Sequence, residues 1–515
     1  MGRRHMSSIL ARLAARPRAV VLALGLLLLL SGNWVLPLLD RDEPRFAEAG
    51  REMLQRHDWI IPWFNGDYRF DKPPLIYWCE TVFYRLLGES DFTARLSGVC
   101  FTVGTALLLV EWGRRANRLR AGFFGALIFL TCLQTQIHGR LAVADMPMVF
   151  FVTLAAWSGW EFTRPQAKHP RSWWLVFFTA LGLGFLAKGP IAWLPIAGVI
   201  LFRRRHPEAV TLRAGQIWTG IAITLAITLA WGLPAVILTH GAYLSIGLGQ
   251  HVVYRSVGVV DGHGAAGWIG YVALLPLYFL TFFLSFFPWS LRFPGRLRAW
   301  WPERRQDALG SYLMLQAAIV FIVFSLVRTK LPHYTLPAFP CLAFWLALQM
   351  EGQPDFSRWF GWRVAGMTVA TLALTWLGFA CFRPLFLSDK IWSEVQSQVR
   401  PETRVACVDY GEASLVWKFR SVTTNYLLLS PTPEQVTNFL AQPGPWIFVA
   451  PTNYVLSANT FTNGATSLRF TGYDVSRWKP VRQTFHLAGW SVPGWILKPR
   501  QWELTALFSP ENNPK

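Results

Sequence analysis

Charged side chains are scarce in this 515-residue sequence: they make up 15% of the residues, whereas 53% are apolar and 27 are tryptophan. This composition excludes an ordinary soluble domain and is typical of a membrane protein. Cysteine is scarce too, with six residues and no CxxC pair, which excludes a disulfide framework and a zinc site of that spacing. The sequence also lacks a glycine-rich phosphate loop, internal repeats and low-complexity tracts, so nothing indicates a P-loop nucleotide site.

Long apolar runs recur along the first 380 or so positions. A helix needs roughly 20 apolar residues to cross the hydrocarbon core of a bilayer. The sequence therefore predicts a mainly α membrane protein with about 11–13 transmembrane helices. The candidate spans lie near residues 19–39, 93–112, 121–137, 141–162, 173–187, 190–202, 216–238, 267–290, 312–327, 334–349 and 364–381.

The net charge of +20 comes from basic clusters that fall in alternate connections between these runs. Lysine and arginine collect on the cytoplasmic side of membrane proteins. The pattern predicts a cytoplasmic N-terminus and, with an odd number of spans, an outer position for the chain after about residue 382. Membrane topology thus explains the basic excess, and no nucleic-acid partner is indicated. Among the residues of these clusters are Arg12, Arg16, Arg18, Arg114, Arg115, Arg164, Arg203, Arg204, Arg205, Arg298, Arg304 and Arg305.

The first outer connection, residues 40–92, has structure of its own. The stretch "RFAEAGREMLQR", which follows Pro44, predicts a helix lying along the membrane face. "LIYWCETVFYRLLG" is too short to span the bilayer and predicts a second interfacial helix. Further along, "AKGP" interrupts an apolar run at Lys188, so two short helices are predicted to meet there.

The pattern changes after residue 382. Short β-forming runs, "RVACVDY", "VTTNYLLL" and "WIFVAP", alternate with the helix-forming stretches "GEASLVWKF" and "PTPEQVTNFLAQ". Such alternation predicts a small α/β domain. We therefore divide the chain into a polytopic transmembrane domain, residues 1–382, and an extracytoplasmic α/β domain, residues 383–515.

Ionisable residues in or against the predicted spans collect on the predicted outer side. Because a charge in a bilayer is costly, each of them needs a partner or a function. Asp145, in "LAVADMPM", lies several residues inside a predicted span and is either a catalytic carboxylate or half of an ion pair with Arg140 or Lys188. Asp42 is either catalytic or a favourable acid at the N-terminus of the helix that Pro44 begins.

Several outer-side cations come from separate loops and suit a phosphate or pyrophosphate group. For any single one of them, a side chain that reaches to the membrane surface is the alternative. Asp71 and His251 offer oxygen and nitrogen ligands for a divalent cation, with a hydrogen-bonded pair as the alternative. Carboxylates and phosphate-binding cations at the exit of hydrophobic helices indicate a site for a lipid-linked phosphate. The cations are Lys72, Lys188, Arg255, Lys330 and His333.

Six motifs, in order over about residues 40–340, carry a family resemblance. They are "DRDEPRFAEAGREML", "DWIIPWFNGDYRF", "DKPPLIYW", "RLAVADMP", "AKGP" and "RTKLPHYTLP". In these motifs the chain resembles the ArnT-like branch of membrane glycosyltransferases with the GT-C fold. That branch includes the lipid A 4-amino-4-deoxy-L-arabinose transferases and is related to the protein O-mannosyltransferases.

The resemblance implies roles for matching residues. Asp42 and Asp145 match the two acids of the family, and Arg45 matches the arginine that follows the first. Asp71 and Lys72 match a loop pair, usually Glu-Lys, in which the lysine holds the donor phosphate and the acid ligates a metal ion in some members. His251 matches the other metal ligand, and Tyr334 matches the tyrosine of the "KLPHY" motif. The metal would be a divalent, zinc-like ion.

The implied activity is transfer of a sugar from a polyprenyl-phosphate donor to a lipid or glycan acceptor on the outer side of the bacterial inner membrane, with inversion at the anomeric carbon. An undecaprenyl phosphate-linked aminoarabinose is one candidate donor, and lipid A is one candidate acceptor. Transfer to protein or glycan from a polyprenyl-phosphate-mannose type of donor is the alternative. A transporter or flippase for lipid-linked sugars is the alternative of another class, and an assembly protein that binds partners through its outer domain is a third.

Overall fold

The computed structural model describes residues 16–40, 42–164, 170–208, 212–254, 258, 267–353, 356–457, 465–487 and 490–509. The chain forms two compact units. The first unit takes in the chain up to Asn33, His57–Pro62 and Arg69–Ala373. The second takes in Trp34–Arg56, Trp63–Tyr68 and the chain from Leu374 onwards. The sequence-based division at residues 382 and 383 does not include the two N-terminal segments that join the second unit.

The first unit is built of helices. Its α-helices are Pro17–Leu30, Leu75–Leu87, Asp91–Arg115, Leu119–Thr131, Leu133–His138, Asp145–Thr163, Pro170–Lys188, Leu194–Arg205, Ala214–Leu238, Gly267–Ala273, Leu277–Ser285, Phe293–Trp300, Ala308–Leu326, Phe339–Met350 and Phe356–Ala373. Its 3₁₀ segments are Gly189–Trp193, Trp289–Arg292 and Pro332–Ala338, and its π-helix is Tyr243–Tyr254. The predicted break after Lys188 is confirmed, because Gly189 has a φ of +78° and a 3₁₀ segment follows it.

Five helical segments of the described chain are long and apolar enough to cross a membrane, and a sixth results if one bent pair is counted as a span. The prediction of 11–13 spans counted apolar runs, several of which form shorter helices. The predicted span 141–162 begins later than expected. Asp145 is the first residue of its helix, Asp145–Thr163, and does not lie several residues inside it. The six candidates are Asp91–Arg115, Ser172–Arg205, Ala214–Leu238, Ala308–Leu326, Trp359–Phe382 and the pair Gly267–Ala273 and Leu277–Ser285, bent by 41°.

A glycine sets the position of the chain just before Asp145. A Cβ atom added to Gly98, in helix Asp91–Arg115, would lie 2.6 Å from the backbone oxygen of Leu141. Small residues let backbones approach closely in membrane proteins, where packing drives association of helices. Gly98 therefore lets the backbone of residues 138–141 lie directly against this helix, shortly before helix Asp145–Thr163 begins.

The second unit contains a five-stranded mixed sheet. In spatial order the strands are Leu428–Leu429, Arg404–Cys407, Trp446–Pro451, Trp490–Phe508 and Thr466–Leu487. The first three are parallel and the last two pair antiparallel. A two-stranded ribbon, Trp63–Phe64 and Asp67–Tyr68, is also present. The helical segments of this unit are Asp42–Arg56, Leu374–Gly378, Phe379–Phe382, Arg383–Leu385, Leu387–Val395, Gln396–Gln398, Ala413–Phe419, Pro433–Ala441 and Thr452–Ser457.

The predicted α/β pattern is confirmed for residues 404–451, where all three strands and both helices form. The long antiparallel hairpin of the last two strands was not predicted. Its sequence contains Pro480, Pro493 and Pro499, and proline within a run argues against a strand because it donates no ladder hydrogen bond. Antiparallel pairing on both sides of an irregularity between Asp474 and Trp478 outweighs that local preference here.

Candidate functional site

The predicted pair of Asp71 and His251 forms in the first unit. The His251 ring donates from Nε2 to Asp71 Oδ1 at 2.8 Å, and Arg69 lies 3.0 Å from Asp71 Oδ2. Lys72 Nζ donates to the backbone oxygen of Asp71 at 2.9 Å. We call Arg69, Asp71, Lys72 and His251 the Asp71 group. Arg69 was not among the predicted site residues, although "RFDKPP" places it two residues before Asp71.

The charges of this group keep Asp71 ionised. Burial by itself raises the pKa of the Asp71 carboxyl, but the hydrogen bond from His251 and the positive charges of Arg69 and Lys72 outweigh it. The pKa of Asp71 therefore lies far below its usual range, and the carboxylate is present at any physiological pH.

Asp145 lies at the centre of a second set of side chains in the first unit. Lys188 donates from Nζ to Asp145 Oδ1 at 2.6 Å, with side chains that are only 13% and 8% exposed. His333 Nε2 lies 3.9 Å from the same oxygen. The ion pair with Lys188, one of the two partners considered from the sequence, is thus present. Arg140, the other, donates to the backbone oxygen of Leu28.

His138 completes this set and was not predicted. Its ring stacks at an angle on the ring of His333, with centroids 4.8 Å apart, and its Nδ1 atom is 2.9 Å from the amide nitrogen of Gln134. His138 ends helix Leu133–His138, directly before the turn that leads to Asp145. The stretch "QIHGRLAVAD" could have indicated it, since a polar ring ends an apolar run there. We call His138, Asp145, Lys188 and His333 the Asp145 group.

His333 is neutral at physiological pH. Burial lowers the pKa of His333 to about 3; the Asp145 carboxylate raises it, and the charges of Lys188, His138 and Lys72 lower it again. The charge of Lys72 links the two groups electrostatically, because it lowers the pKa of His333 in the Asp145 group and the pKa of Asp71 in the other. A neutral imidazole can accept a hydrogen bond or bind a metal ion.

Lys330 and Tyr334 have local contacts. Lys330 is buried, and its Nζ atom donates to the backbone oxygens of Phe324 and Ser325 at the end of helix Ala308–Leu326. Burial lowers the pKa of Lys330 to about 8. This geometry favours a helix-capping role for Lys330. The Tyr334 ring contacts the His333 ring, with centroids 5.2 Å apart. Arg255 lies outside the described residues.

Asp42 and Arg45 belong to helix Asp42–Arg56 of the second unit. Asp42 is exposed at the first residue of the helix, and Arg45 is half-buried. The neighbouring acid, Glu43, is buried and accepts a hydrogen bond from the backbone of Leu39 at 2.9 Å. Asp42 and Glu43 are both acids in the first turn of this helix, so the alternative of a favourable acid at the helix N-terminus stays open for Asp42.

Buried charges hold this helix against helix Ala413–Phe419. Arg51 lies 2.6 Å from Glu48, donates to the backbone oxygen of Trp417 at 2.8 Å, and stacks over the Trp417 ring at 3.6 Å. Arg420 reaches Glu48 at 3.5 Å and donates to Gln55 at 2.9 Å. The sequence predicted a helix lying along the membrane face; its formation is confirmed, but most of its residues are buried within the second unit.

Comparison with known proteins gives the family. The sequence profile described as dolichyl-phosphate-mannose-protein mannosyltransferase matches residues 71–232. The undecaprenyl phosphate-alpha-4-amino-4-deoxy-L-arabinose arabinosyl transferase of Pectobacterium atrosepticum is 30% identical over 391 residues, 72% of this chain and 66% of the relative. The transferase of the same name from Pectobacterium carotovorum is 30% identical over 383 residues, 71% of this chain and 65% of the relative. The aligned part thus spans just under two thirds of these relatives.

The fold has a match among solved structures. ArnT from Cupriavidus metallidurans, in a crystal structure bound to undecaprenyl phosphate, superposes with a TM-score of 0.74 and 17% identity, covering 95% of this chain and 97% of that one. Its apo structure gives a TM-score of 0.73, covering 96% and 99%. At this identity the likeness establishes the fold.

These findings define a multi-pass membrane protein with the GT-C glycosyltransferase fold and a small sheet-containing region at its C-terminus. Within that class, the chain belongs to the ArnT-like glycosyltransferases.

Proposed function

We propose that this protein transfers a sugar from an undecaprenyl phosphate-linked donor to an acceptor at the outer face of the bacterial inner membrane. The names of its relatives support undecaprenyl phosphate-linked 4-amino-4-deoxy-L-arabinose as the donor. Lipid A is the acceptor that the motif resemblance implies. The observation that carries the proposal is the pairing of carboxylates with cations in the Asp71 and Asp145 groups, which suits an anionic lipid head group.

The proposed reaction is a displacement at the anomeric carbon. The bond from that carbon to the donor phosphate breaks, a bond to the acceptor oxygen forms on the opposite face, and polyprenyl phosphate leaves with the bonding electron pair. Lys72, supported by Lys188 and Arg255, stabilises the charge that develops on the leaving phosphate. Arg45, His333 and Tyr334 are the remaining proposed substrate contacts, whereas the burial of Lys330 makes it the weakest member of the predicted set.

The proposed role of Asp42, and secondarily of Asp145, is to orient or deprotonate the acceptor. A hydroxyl acceptor would give its proton to the carboxylate. A phosphate acceptor is already anionic, so there the carboxylate and its neighbouring cations would only orient it. The lysine bound to Asp145 favours the orienting role for that residue.

A divalent cation is part of the proposal at Asp71 and His251. The carboxylate oxygen and the imidazole nitrogen lie 2.8 Å apart, so both could bind one ion after a small separation. Arg69 on the other carboxylate oxygen reduces the affinity, because it already neutralises the charge. A bound ion would supply further positive charge near the donor phosphate.

The test of the function uses purified protein reconstituted with synthetic undecaprenyl phosphate-aminoarabinose and lipid A. Mass spectrometry should detect lipid A carrying the added sugar. Repeating the assay with a polyprenyl-phosphate-mannose donor and a peptide or glycan acceptor tests the alternative that the mannosyltransferase profile favours. Translocation of the donor lipid without transfer in either assay would contradict the proposal and support a flippase.

We also propose that the domain of residues 383–515 lies on the periplasmic face and that the N-terminus is cytoplasmic. The distribution of basic clusters supports this orientation.

A further inference from the structure

His138, Asp145 and His333 bring three potential metal ligands together. One ligand atom from each residue lies within 4.8 Å of the other two. The residues come from the end of one helix, the first residue of another and a 3₁₀ segment almost two hundred residues further along. We call these three residues the His–Asp–His triad.

The donor set and its spacing suit a divalent transition metal. Zinc binds imidazole nitrogen and carboxylate oxygen at about 2.0–2.2 Å, so its ligand atoms lie about 3–4 Å apart in a formed site. The triad would have to contract by about 1 Å, which side-chain rotation can supply. Two histidines and one carboxylate also leave coordination positions open for water or substrate.

A supporting residue orients one of the ligands. The side-chain amide of Gln134 lies 2.9 Å from Nδ1 of His138, one helical turn away on the same helix. A hydrogen bond to one ring nitrogen is what orients histidine ligands in metal sites and leaves the other nitrogen to bind the ion. The amide nitrogen can only donate to Nδ1, which would leave the proton of a neutral ring on Nε2. With the amide flipped, its oxygen accepts from Nδ1–H and Nε2 of His138 is left to bind the ion, so metal binding requires this orientation of Gln134.

The ammonium group of Lys188 lies beside the carboxylate oxygen that a metal ion in the triad would bind. Its ammonium group lies 2.6 Å from Asp145 Oδ1, while His333 Nε2 lies 3.9 Å from that oxygen. A metal ion and an ammonium group carry the same sign of charge and would compete for this carboxylate. Removal of the lysine should therefore strengthen metal binding rather than weaken it.

We propose that His138, Asp145 and His333 form a binding site for a divalent transition-metal ion, in which Lys188 competes with the ion for Asp145. The site differs from the Asp71–His251 pair in all its ligands. It rests on the geometry of these side chains and does not depend on the identity of the sugar or acceptor.

The test is a Co²⁺ titration of the full-length, tag-free protein in detergent, after treatment with a chelator. Visible absorption of bound Co²⁺ gives the affinity and reports nitrogen ligation, and elemental analysis gives the Zn²⁺ stoichiometry. Wild-type protein should bind an ion at the triad whose affinity His138→Gln and His333→Gln each lower by at least tenfold; an ion held by Asp71 and His251 would add to the total stoichiometry and would not respond to these two variants. Asp71→Asn and His251→Gln are the matched controls and should leave this ion in place.

Lys188→Met provides the second arm. Its affinity for Co²⁺ should rise at least tenfold over wild type, a result that damage to the fold would not produce. The proposal is overturned if wild-type protein and Lys188→Met both bind no ion, if binding disappears only in the Asp71 and His251 variants, or if Lys188→Met leaves the affinity unchanged or lower. Because the readout is binding, these outcomes are independent of whether aminoarabinose transfer is observed.

Discussion

Three aspartates of the proposed machinery have different electrostatic surroundings. Asp71 is surrounded by Arg69, Lys72 and His251 and stays ionised; Asp145 is paired with Lys188; Asp42 is exposed at a helix start. A carboxylate already held by a lysine is less available to accept a proton than an exposed one, because protonation would break the pair. At the level of single residues, Asp42 is therefore the better candidate for proton transfer.

The first prediction concerns Asp42. Asp42→Asn keeps the size and helix-starting preference of the side chain but removes its charge. We expect the rate of sugar transfer to fall by at least a hundredfold, on the order of 3 kcal/mol in the activation barrier, with the apparent melting temperature unchanged. Glu89→Gln, an exposed acid of the first unit, is the control. Wild-type activity in Asp42→Asn would eliminate its catalytic role.

The second prediction separates two lysines. Lys72→Met should lower transfer at least tenfold, through kcat or through KM for the donor, because a cation near the phosphate is lost, and should leave thermal stability unchanged. Lys330→Met should instead destabilise the protein by about 1–3 kcal/mol, because the carbonyl oxygens of Phe324 and Ser325 lose their donor. Steady-state kinetics and thermal unfolding of both variants measure these effects. If Lys330→Met loses transfer activity and keeps its stability, Lys330 contacts the donor phosphate after all.

At the level of secondary-structure elements, two helices that carry proposed site residues are packed through other residues. Helix Asp42–Arg56 carries two proposed site residues at its start, while its second half is held by Arg51, Glu48 and Arg420. Helix Asp145–Thr163 begins shortly after residues 138–141, whose backbone lies against Gly98. In both cases residues without a proposed chemical role pack beside the segment that carries a proposed functional side chain.

The third prediction tests the buried charges of the first of these helices. Arg51→Met should destabilise the second unit by about 3 kcal/mol, because Glu48 loses its nearer partner in a buried position. Arg400→Met removes an exposed arginine of the same unit and should change stability by less than about 0.5 kcal/mol. Limited proteolysis and thermal unfolding would measure both, and equal stability of the two variants would contradict the assigned role.

The fourth prediction tests the close approach at Gly98. In Gly98→Ala the new methyl group would lie 2.6 Å from the Leu141 oxygen, so residues 139–144 must shift and Asp145 with them. We expect at least a tenfold loss of transfer activity and a lower melting temperature. Gly215→Ala is the matched control, because a Cβ there would meet no atom within 4 Å. Full activity in Gly98→Ala would mean that the turn tolerates this displacement.

For the whole molecule, the proposed orientation puts the chain after about residue 382 outside the cytoplasm. Basic residues in alternate connections are the basis of that orientation. The fold match to ArnT agrees with a multi-pass protein, and the position of each face can be determined chemically.

The fifth prediction is the accessibility of two exposed positions to a membrane-impermeant maleimide. In a Cys100→Ser and Cys381→Ser background, which removes the exposed native thiols, Ser421→Cys in the second unit should react in intact spheroplasts. Arg298→Cys, in a predicted cytoplasmic connection, should react only after lysis. Both positions are exposed in the protein itself, so the reverse labelling would show that the orientation is inverted.

From the order of amino acids alone follow the membrane class, the α/β pattern of residues 404–451, and Asp71–His251 and Asp145–Lys188 as candidate pairs, both of which form. These features can be predicted because apolar runs, periodicity and scarce charges depend only on the sequence of the segment itself and indicate which of its residues are buried. Only the tertiary structure placed His138 beside Asp145, Lys330 on a helix end and Arg51 on Trp417. Arg51 and Trp417 are far apart in the chain, and the other two contacts cross a turn whose course no local pattern specifies. Which of the many possible pairs forms therefore depends on how the chain packs.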